Sequence, residues 1–433
     1  MDYYVDIYNI RRLFRGENIL NKKYILYGLG ISNQKIKEYF DLNNVLYNVF
    51  IDNVNNINDI ELNDIDYVVK SSGIKFDTPF LKKVEEFNIK IISDLELYCL
   101  LNINDLFIII TGTNGKTTTV SLISDILNIS SYGNIGNSIF NKTLNNDLNY
   151  LTLVETSSFM LHNTYSIKPF IYVITNLEEH HLDYHKTVEN YFYDKTKLIP
   201  MSKYFICNYK YMDMFGNYQK IFTFSIENKL ADIYVENNYI IYNDTRIINV
   251  NELKINEPHN IENIMIAILV SIILNIDLEI IKEKIKNFNG LQYRLEKIID
   301  NERLVVINDS KSTSPYSLSA GIYSLIGKYA LFKKILIIGG KLVDSNYDAV
   351  NKVIDYFDEV CIFGYSCFEI EKLLHHHNIK KFKDLKEVVD NIKTFDNVLI
   401  LFSPSQPSYD QYKNYIERGR HFNHLIFYHN FCI

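Results

Sequence analysis

Glycine, arginine, alanine and cysteine are all scarce in this sequence. Of its 433 residues only 16 are glycine, eight are arginine and five are alanine. Because glycine usually makes up about 7% of a protein, we expect the remaining glycines where the backbone needs a positive φ or a close approach. The five cysteines form no Cys-x-x-Cys pair and are odd in number. This pattern predicts free, mostly buried thiols in a reducing cytoplasm.

Long apolar runs and an excess of positive charge are also absent. The longest apolar stretch, residues 264–274, is interrupted by Ser271. It is shorter than the roughly 20 residues that span a bilayer, so it predicts a buried helix. Residues 1–15 are polar with charges of both signs, which does not resemble a signal peptide. The net charge of −7 argues against nucleic acid or an anionic membrane as the main partner.

Short apolar runs alternate with helical patterns along the chain. Continuous rather than alternating runs indicate strands buried on both faces, which is typical of α/β proteins. We therefore predict three successive α/β domains, at 1–95, 96–290 and 291–433. The first and last are expected to be Rossmann-like, and the central one to carry a P-loop. The expected strands are 24–28, 45–51, 67–69, 107–110, 151–155, 171–174, 303–307, 335–338 and 398–402.

A phosphate-binding loop follows the strand at 107–110. Residues 111–118 read Thr-Gly-Thr-Asn-Gly-Lys-Thr-Thr, and a helical pattern follows them. Such a loop directs backbone N–H groups and a helix N-terminus at phosphate oxygens. Lys116 would reach the β- and γ-phosphates and Thr117 would hold Mg²⁺. Ile110 stands where a strict P-loop has glycine, so this is a variant. The predicted nucleotide contacts are Gly112, Thr113, Asn114, Gly115, Lys116, Thr117 and Thr118.

Glu155 ends the strand at 151–155. A carboxylate at the carboxyl end of a strand beside a P-loop is well placed to hold a hard cation such as Mg²⁺.

The shortened loop resembles that of the Mur ligase family, which also includes the folylpolyglutamate synthases. Residues 176–183 are similar to the family's Asn…Glu-Asp-His-x-Asp segment, with His180 in the place of Asp and His181 as the matched catalytic histidine. Residues 191–195 resemble its Tyr-x-x-x-Lys segment, whose lysine is carbamylated. This makes Lys195 the carbamylated residue, and Lys197 stays an alternative if the register shifts by two. The resemblance implies two Mg²⁺ ions. Their ligands would be Thr117, Glu155, His181 and Lys195.

Further segments resemble the nucleotide- and amino-acid-binding parts of that family. Asn260 and Asn263 match residues on the adenine side of ATP, and Asp309 matches the ribose contact. Arg294 could stabilise charge on the transferring phosphoryl group. Lys311 and Thr313 would face the incoming amino acid, and the resemblance gives Lys311 a catalytic role. Lys341 matches a Gly-Gly…Lys segment that is about two residues shorter here.

The N-terminal Gly28-Leu-Gly30 turn has Asn33 where a dinucleotide fingerprint needs a third glycine, so it is weak evidence for NAD. It resembles the turn that takes the uridine diphosphate group in the branch of the family that adds D-glutamate. Ser72 and Met160 replace the branch's usual Pro and Gln. The residues expected to bind the UDP-substrate are Ile31, Ser32, Asp52, Ser71, Asn134 and Ser157.

Residues 401–419 carry the most specific resemblance to that branch. They contain Ser-Pro-Ser-Gln-Pro-Ser-Tyr-Asp-Gln-Tyr-Lys-Asn-Tyr, which is similar to the branch's Ser-Pro-x-x-x-Ser-x-Asp-Gln-Phe-x-Asn-Phe signature. Tyrosine replaces phenylalanine twice. By this match Ser408 and Tyr415 would bind D-glutamate.

The resemblance implies a cytoplasmic, monomeric ligase of peptidoglycan synthesis that uses ATP to join D-glutamate to UDP-N-acetylmuramoyl-L-alanine through an acyl phosphate. Two alternatives fit less well. A folylpolyglutamate synthase has its P-loop near the N-terminus, whereas 110 residues precede Thr111 here. A P-loop switch protein would need an Asn-Lys-x-Asp motif, which the sequence lacks.

Overall fold

The computed structural model describes residues 19–102, 104–179, 182–216, 218, 220–392 and 397–428, without the side chains of 182 and 183. The chain divides into two compact units, Met1–Phe288 and Asn289–Ile433.

The first sheet of the first unit has four parallel strands in the order β2-β1-β3-β4. Every residue of β1 and β3 is buried, because helices cover both faces; this explains the continuous apolar runs. The strands are β1 (Tyr24–Tyr27), β2 (Tyr47–Phe50), β3 (Tyr67–Lys70) and β4 (Lys90–Ile92). The helices are α1 (Ile31–Leu42), α2 (Pro79–Glu86) and α3 (Asp94–Leu101).

The second sheet of this unit has nine strands in the order β13-β12-β11-β10-β9-β8-β5-β7-β6. Its strands are β5 (Leu106–Thr111), β6 (Ser131–Gly133), β7 (Leu151–Glu155), β8 (Ile171–Ile174), β9 (Tyr204–Asn208), β10 (Ile221–Ser225), β11 (Ile233–Glu236), β12 (Tyr239–Tyr242) and β13 (Thr245–Asn249). The pairs from β6 to β11 are parallel, whereas β11, β12 and β13 pair antiparallel. This parallel core brings the carboxyl ends of β5, β7 and β8 to one edge.

Eight helices accompany this sheet in the described residues: α4 (Lys116–Leu127), α5 (Phe140–Leu144), α6 (Ser158–His162), α7 (Leu182–His185), α8 (Val188–Thr196), α9 (Met212–Phe215), α10 (Pro258–Ile273) and α11 (Leu278–Asn287). The central one, α10, packs against α4, and all its residues from Asn263 to Ser271 are buried. Burial on every side requires an apolar sequence all round the helix. The buried helix predicted from residues 264–274 is therefore confirmed.

The second unit holds one sheet in the order β14-β15-β19-β16-β17-β18, parallel except for the β14–β15 pair. Its strands are β14 (Glu296–Asp300), β15 (Leu304–Asn308), β16 (Lys333–Gly339), β17 (Glu359–Phe363), β18 (Ile379–Phe382) and β19 (Val398–Ser405). Its helices are α12 (Pro315–Leu325), α13 (Asp348–Asn351), α14 (Cys367–Glu371), α15 (Leu385–Asn391) and α16 (Tyr415–Tyr428).

The α/β class predicted from the sequence is confirmed, and each of the predicted strands has a counterpart within a few residues. The division into three domains stays a prediction. Cys99, Cys207, Cys361 and Cys367 are free and buried, as expected, and Cys432 lies outside the described residues. None of the helices in the described part of the chain combines the length and apolar character needed to cross a membrane.

Truncating the centre of α10 should destabilise the first unit. Ile264 is fully buried, so Ile264→Ala should lower the free energy of unfolding by about 2–5 kcal/mol through lost packing and a residual cavity. The matched control is Ile280→Ala on α11, where the side chain is 47% exposed; it should change stability by about 0.5 kcal/mol or less. Urea-induced unfolding measures both. Equal losses would contradict the burial of α10.

Candidate active site

The phosphate loop, residues 112–115, lies between β5 and α4. Gly112 and Gly115 have φ values of +145° and +81°. A β-carbon at Gly112 would lie 1.9 Å from Thr175 Oγ1, and one at Gly115 would lie 2.4 Å from Asn263 Oδ1. Both positions therefore require glycine, for backbone conformation and for space.

The segment after β8 braces this loop. The Thr175 hydroxyl donates to the Asn114 carbonyl at 2.6 Å, and the Asn114 N–H donates to Asn176 Oδ1 at 2.8 Å. The Thr113 hydroxyl donates to the Glu178 carbonyl at 3.1 Å. These bonds help to fix the shape of the loop from outside. Sequence reasoning missed this role of residues 175–178.

Two lysines converge on one backbone oxygen of the loop. Lys116 Nζ and Lys195 Nζ donate to the Gly112 carbonyl at 2.8 and 2.7 Å. Lys116 also donates to the Thr113 carbonyl, and Lys195 to Thr111 Oγ1. Burial, followed by the positive charge of Lys116, lowers the pKa of Lys195 well below its usual range. Thr117 and Thr118 lie in the first turn of α4.

Lys195 and Lys197 point to different places. Lys197 Nζ donates to the His162 carbonyl at 2.8 Å and lies 3.5 Å from Asp194 Oδ1. Two residues on a helix differ by about 200° in direction, so only one of the pair can face the loop. In this structure that residue is Lys195.

Glu155 lies beside the loop, because β7 pairs with β5 and sets Glu155 opposite Ile110. The carboxylate is buried, and its Oε1 accepts from Asn134 Nδ2 at 3.2 Å. Its Oε2 is buried and has no hydrogen-bond partner among the described residues. A buried carboxylate oxygen without a donor suits a cation, so the predicted Mg²⁺ ligand fits this position. His181, the other predicted ligand, lies outside the described residues.

The predicted UDP-substrate residues in the first sheet cluster around its glycine turn. Ser71 Oγ donates to the Gly28 carbonyl at 3.1 Å, and Asp52 Oδ2 accepts from the Tyr27 hydroxyl at 2.6 Å. Ile31 begins α1 with its side chain 61% exposed, and Ser32 hydrogen-bonds Asp94. These contacts place an apolar side chain and several polar groups at the same end of the sheet.

Asn33 is a structural residue of that turn that sequence reasoning took only as a missing glycine. It is fully buried, and its Nδ2 donates to the carbonyls of Gly28 at 2.8 Å, Val69 at 3.1 Å and Tyr27 at 3.2 Å. The side chain thus ties the turn to β1 and β3. An asparagine inside an apolar helical pattern is the signal that could have revealed it.

The remaining predicted residues of the first unit lie at helix ends or within the core. Ser157 caps α6 by accepting from the Met160 N–H at 3.2 Å. Met160 is buried in the hydrophobic core, which suits a flexible apolar side chain. Asn263 accepts from Thr119 Oγ1 at 3.1 Å, and Asn260 donates to Glu257 at 2.9 Å.

In the second unit, Asp309 lies at the carboxyl end of β15. Its carboxylate accepts from Ser403 Oγ at 2.7 Å and from the Leu295 N–H at 3.1 Å. Burial raises the pKa of Asp309 to about 6 despite these bonds and the charge of Arg294.

The predicted amino-acid residues of this unit belong to loops joined by Arg418, which is fully buried. Its guanidinium donates to the Ser310 carbonyl and to the Gln406 carbonyl, both at 2.9 Å. The first bond fixes the loop of Lys311 and Thr313, and the second fixes the loop of Ser408.

The Lys341 N–H donates to the Pro407 carbonyl, and Ser310 Oγ donates to the Tyr415 carbonyl. All five predicted residues are therefore brought to one end of the sheet. Sequence reasoning missed Arg418, although arginine is rare in this chain.

Three features define a P-loop nucleotide-binding enzyme: the parallel core of the nine-stranded sheet, a glycine-bounded phosphate loop with Lys116, and a Glu155 oxygen that has no hydrogen-bond partner in the described part of the chain. The Mur ligase middle domain matches residues 110–271. The UDP-N-acetylmuramoylalanine--D-glutamate ligase of Clostridioides difficile is 31% identical over 427 residues, covering 91% of this chain and 92% of that protein. The Prochlorococcus marinus enzyme of the same name is 33% identical over 394 residues, covering 84% and 81%. The chain belongs to the Mur ligase family.

Solved structures share the fold at lower identity. The UDP-N-acetylmuramate-alanine ligase of Thermotoga maritima aligns with a TM-score of 0.56 and 17% identity, covering 93% of this chain and 98% of the other. The MurF ligase of the same organism, solved with ADP, aligns with a TM-score of 0.56 and 14% identity, covering 96% and 100%.

The close contact between Gly115 and Asn263 can be tested by comparing alanine substitutions at two glycines. Gly115→Ala should weaken ATP binding about tenfold or more, equivalent to roughly 1.4 kcal/mol, because the new methyl group displaces Asn263 and the loop. Gly136→Ala is the control: its φ is +83°, but no atom lies within 4 Å of the added carbon. It should change ATP affinity by about twofold or less. Calorimetric titration measures both, and a similar loss in both variants would refute the proposed clash.

Proposed function

We propose that this chain is the ATP-dependent ligase that joins D-glutamate to UDP-N-acetylmuramoyl-L-alanine in the synthesis of peptidoglycan precursors. The observation that carries the proposal is the convergence of Lys116 and Lys195 on the Gly112 carbonyl next to the unpaired Glu155 oxygen. The similarity to D-glutamate ligases over nine tenths of the chain supports the choice of substrates.

The first unit supplies the groups that activate ATP. Lys116 releases its loop carbonyls and binds the β- and γ-phosphates, and the N–H groups of residues 112–118 cradle the phosphates. Thr117, Glu155, His181 and a carbamate on Lys195 would hold two Mg²⁺ ions, which supply charge neutralisation at the transferring phosphoryl group. Asn260 and Asn263 would contact the adenine side of ATP. In the second unit, Arg294 and Asp309 are the residues proposed to bind nucleotide. Both Asp309 oxygens already accept one bond, and each can accept another from a ribose hydroxyl.

Lys195 is the residue proposed to carry the carbamate. A carbamate forms when a neutral amine adds to the carbon of CO₂ and releases a proton. Burial and the charge of Lys116 favour the neutral amine, because both lower its pKa. The product is an anion in the position where a protonated Lys195 would be a second cation beside Lys116.

The first sheet is proposed to hold the UDP part of the substrate. Exposed Ile31 offers an apolar surface to the uracil ring, while Ser32, Asp52 and Ser71 offer hydrogen bonds. Asn134 and Ser157 would contact the sugar and peptide part closer to the phosphate loop. The second unit would hold D-glutamate through Lys311, Thr313, Lys341, Ser408 and Tyr415. Two lysines among them suit the two carboxylates of this amino acid.

The proposed reaction has two chemical steps. A carboxylate oxygen of the alanyl group attacks the γ-phosphorus of ATP, so that an acyl phosphate forms and ADP leaves. The amine of D-glutamate, as the free base, then attacks the acyl carbon. The tetrahedral intermediate expels phosphate, the nitrogen loses a proton, and the amide remains. Lys311 would stabilise the charge that develops during this step. We further propose that the enzyme acts as a monomer in the cytoplasm.

Product formation with defined substrates tests the function. Purified protein with UDP-N-acetylmuramoyl-L-alanine, ATP and Mg²⁺ should release phosphate and form the amide with D-glutamate, and not with L-glutamate or L-lysine. Chromatography coupled to mass spectrometry identifies the product, and folded Lys116→Ala protein is the negative control. Efficient use of L-glutamate, or of a folate in place of the UDP-substrate, would refute the assignment.

Loss of the Lys195 amine should abolish activity. Lys195→Ala should reduce turnover by about 100-fold or more, because a metal ligand is removed, and a small added carboxylate should restore part of it. Lys197→Met is the control, since Lys197 contacts His162 and Asp194 instead of the loop. Isotope-labelled bicarbonate should give a carbamate NMR signal that Lys195→Ala loses and Lys197→Met keeps. The reverse pattern would assign the carbamate to Lys197.

A further inference from the structure

Three side chains of the kinds that bind metal ions come together on helices α6, α7 and α8: His162, His185 and Asp194. Asp194 Oδ2 lies 2.7 Å from His162 Nδ1 and 3.1 Å from His185 Nδ1. One ligand atom from each residue lies within 4.8 Å of the others. None of the three residues has a role in the proposed reaction.

The hydrogen bonds of His185 leave one nitrogen available. The ring is 99% buried, and its Nε2 lies 2.9 Å from Ser158 Oγ. Its Nδ1 lies 3.1 Å from Asp194 Oδ2 and has no other hydrogen-bond partner among the described residues. A buried imidazole nitrogen and a buried carboxylate oxygen therefore lie 3.1 Å apart, and the same oxygen pairs with His162 Nδ1 at 2.7 Å.

We propose that His162, His185 and Asp194 bind a first-row transition metal ion, with Zn²⁺ as the best match. Two imidazole nitrogens and one carboxylate oxygen are a donor set that Zn²⁺ prefers, whereas Mg²⁺ prefers oxygen alone. The His162 side chain is 31% exposed, which gives the ion and a water ligand access from solvent.

The neighbours of the cluster match those of a bound ion. Histidine ligands usually hold a partner on the second ring nitrogen, and Ser158 is placed to be that partner for His185. Rings of Phe76 and Phe159 stack on His162 and His185 and limit their rotation.

Metal binding here would join three helices next to the active site. Asp194 directly precedes Lys195 on α8, while His162 ends α6 and His185 ends α7. The ion would therefore fix the helix that carries Lys195 without contacting ATP. We expect it to raise the thermal stability of the first unit.

Cobalt titration of the metal-free full-length protein tests the proposal. Co²⁺ has visible absorption bands that report nitrogen and oxygen ligation, and Zn²⁺ should displace it. The titration uses Glu155→Gln protein, in which a ligand of the proposed Mg²⁺ site is absent. The proposal predicts that a single ion still binds with these bands. Absence of binding would overturn it.

Ligand variants then locate the ion. In that background, Asp194→Asn, His185→Gln and His162→Gln should each weaken Co²⁺ affinity by about 100-fold or more. His162 is the most exposed of the three, so its variant should fold even if the buried ones do not. The control is His376→Gln with His377→Gln in the second unit, where these two residues and Asp355 form a more exposed cluster. Loss of binding in that control, or unchanged binding in folded His162→Gln, would overturn the proposal.

Lys197 provides a test with the opposite sign. Its ammonium group neutralises Asp194 and repels an incoming cation, so Lys197→Met should bind Co²⁺ more tightly by about tenfold, which corresponds to roughly 1.4 kcal/mol. If the cluster only holds the helices together through hydrogen bonds, the same change removes a contact and leaves affinity for Co²⁺ unaffected or weaker. That result would overturn the proposal.

Discussion

The phosphate loop depends on the close approach of other side chains to Gly112 and Gly115. Thr175 and Asn263 occupy the space that a β-carbon would need at these positions. Thr175 follows β8 and Asn263 comes from α10, so the loop is shaped by elements far apart in sequence. Because the loop is fixed from outside, the Gly112 carbonyl can serve as a common acceptor for Lys116 and Lys195. The arrangement of β7 next to β5 then places Glu155 at the same edge.

In the second unit, Arg418 fixes two loops through hydrogen bonds. A fully buried guanidinium is expensive unless its N–H groups are hydrogen-bonded. Arg418 donates to the Ser310 carbonyl, the Ser310 hydroxyl and the Gln406 carbonyl, and burial lowers its pKa to about 10. All three acceptors are neutral oxygens of two loops. The charge therefore orders these loops, and with them the positions of Lys311 and Ser408.

Much of this architecture could be predicted from local sequence. Strands β5, β7 and β8 are continuous apolar runs, and the loop between β5 and α4 has the glycine and lysine spacing of a phosphate-binding loop. The antiparallel strands β11, β12 and β13 were not predicted. Their turns contain Asn237-Asn238 and Asn243-Asp244, all with positive φ, and such pairs are typical of two-residue hairpins.

The choice between Lys195 and Lys197 could not be made from spacing, since it depends on which face of α8 meets the loop. Asn33 and Arg418 escaped prediction for a related reason. Their partners, Val69 and Ser310, lie far away in sequence.

The charge balance around Gly112 favours the proposed conversion of a buried lysine to an anion. If both lysines were protonated, two ammonium groups donating to one carbonyl would repel each other, and Lys195 has lost nearly all its contact with water. Its neighbours Asp194 and Glu155 oppose the fall in its pKa, but burial and Lys116 outweigh them. Addition of CO₂ would remove the repulsion and turn Lys195 into an anionic oxygen ligand beside the Glu155 oxygen that lacks a donor among the described residues. The paired anions would attract cations, and Lys116 would be left to bind phosphate. The repulsion in the unmodified site and the attraction in the modified one therefore both favour the carbamate.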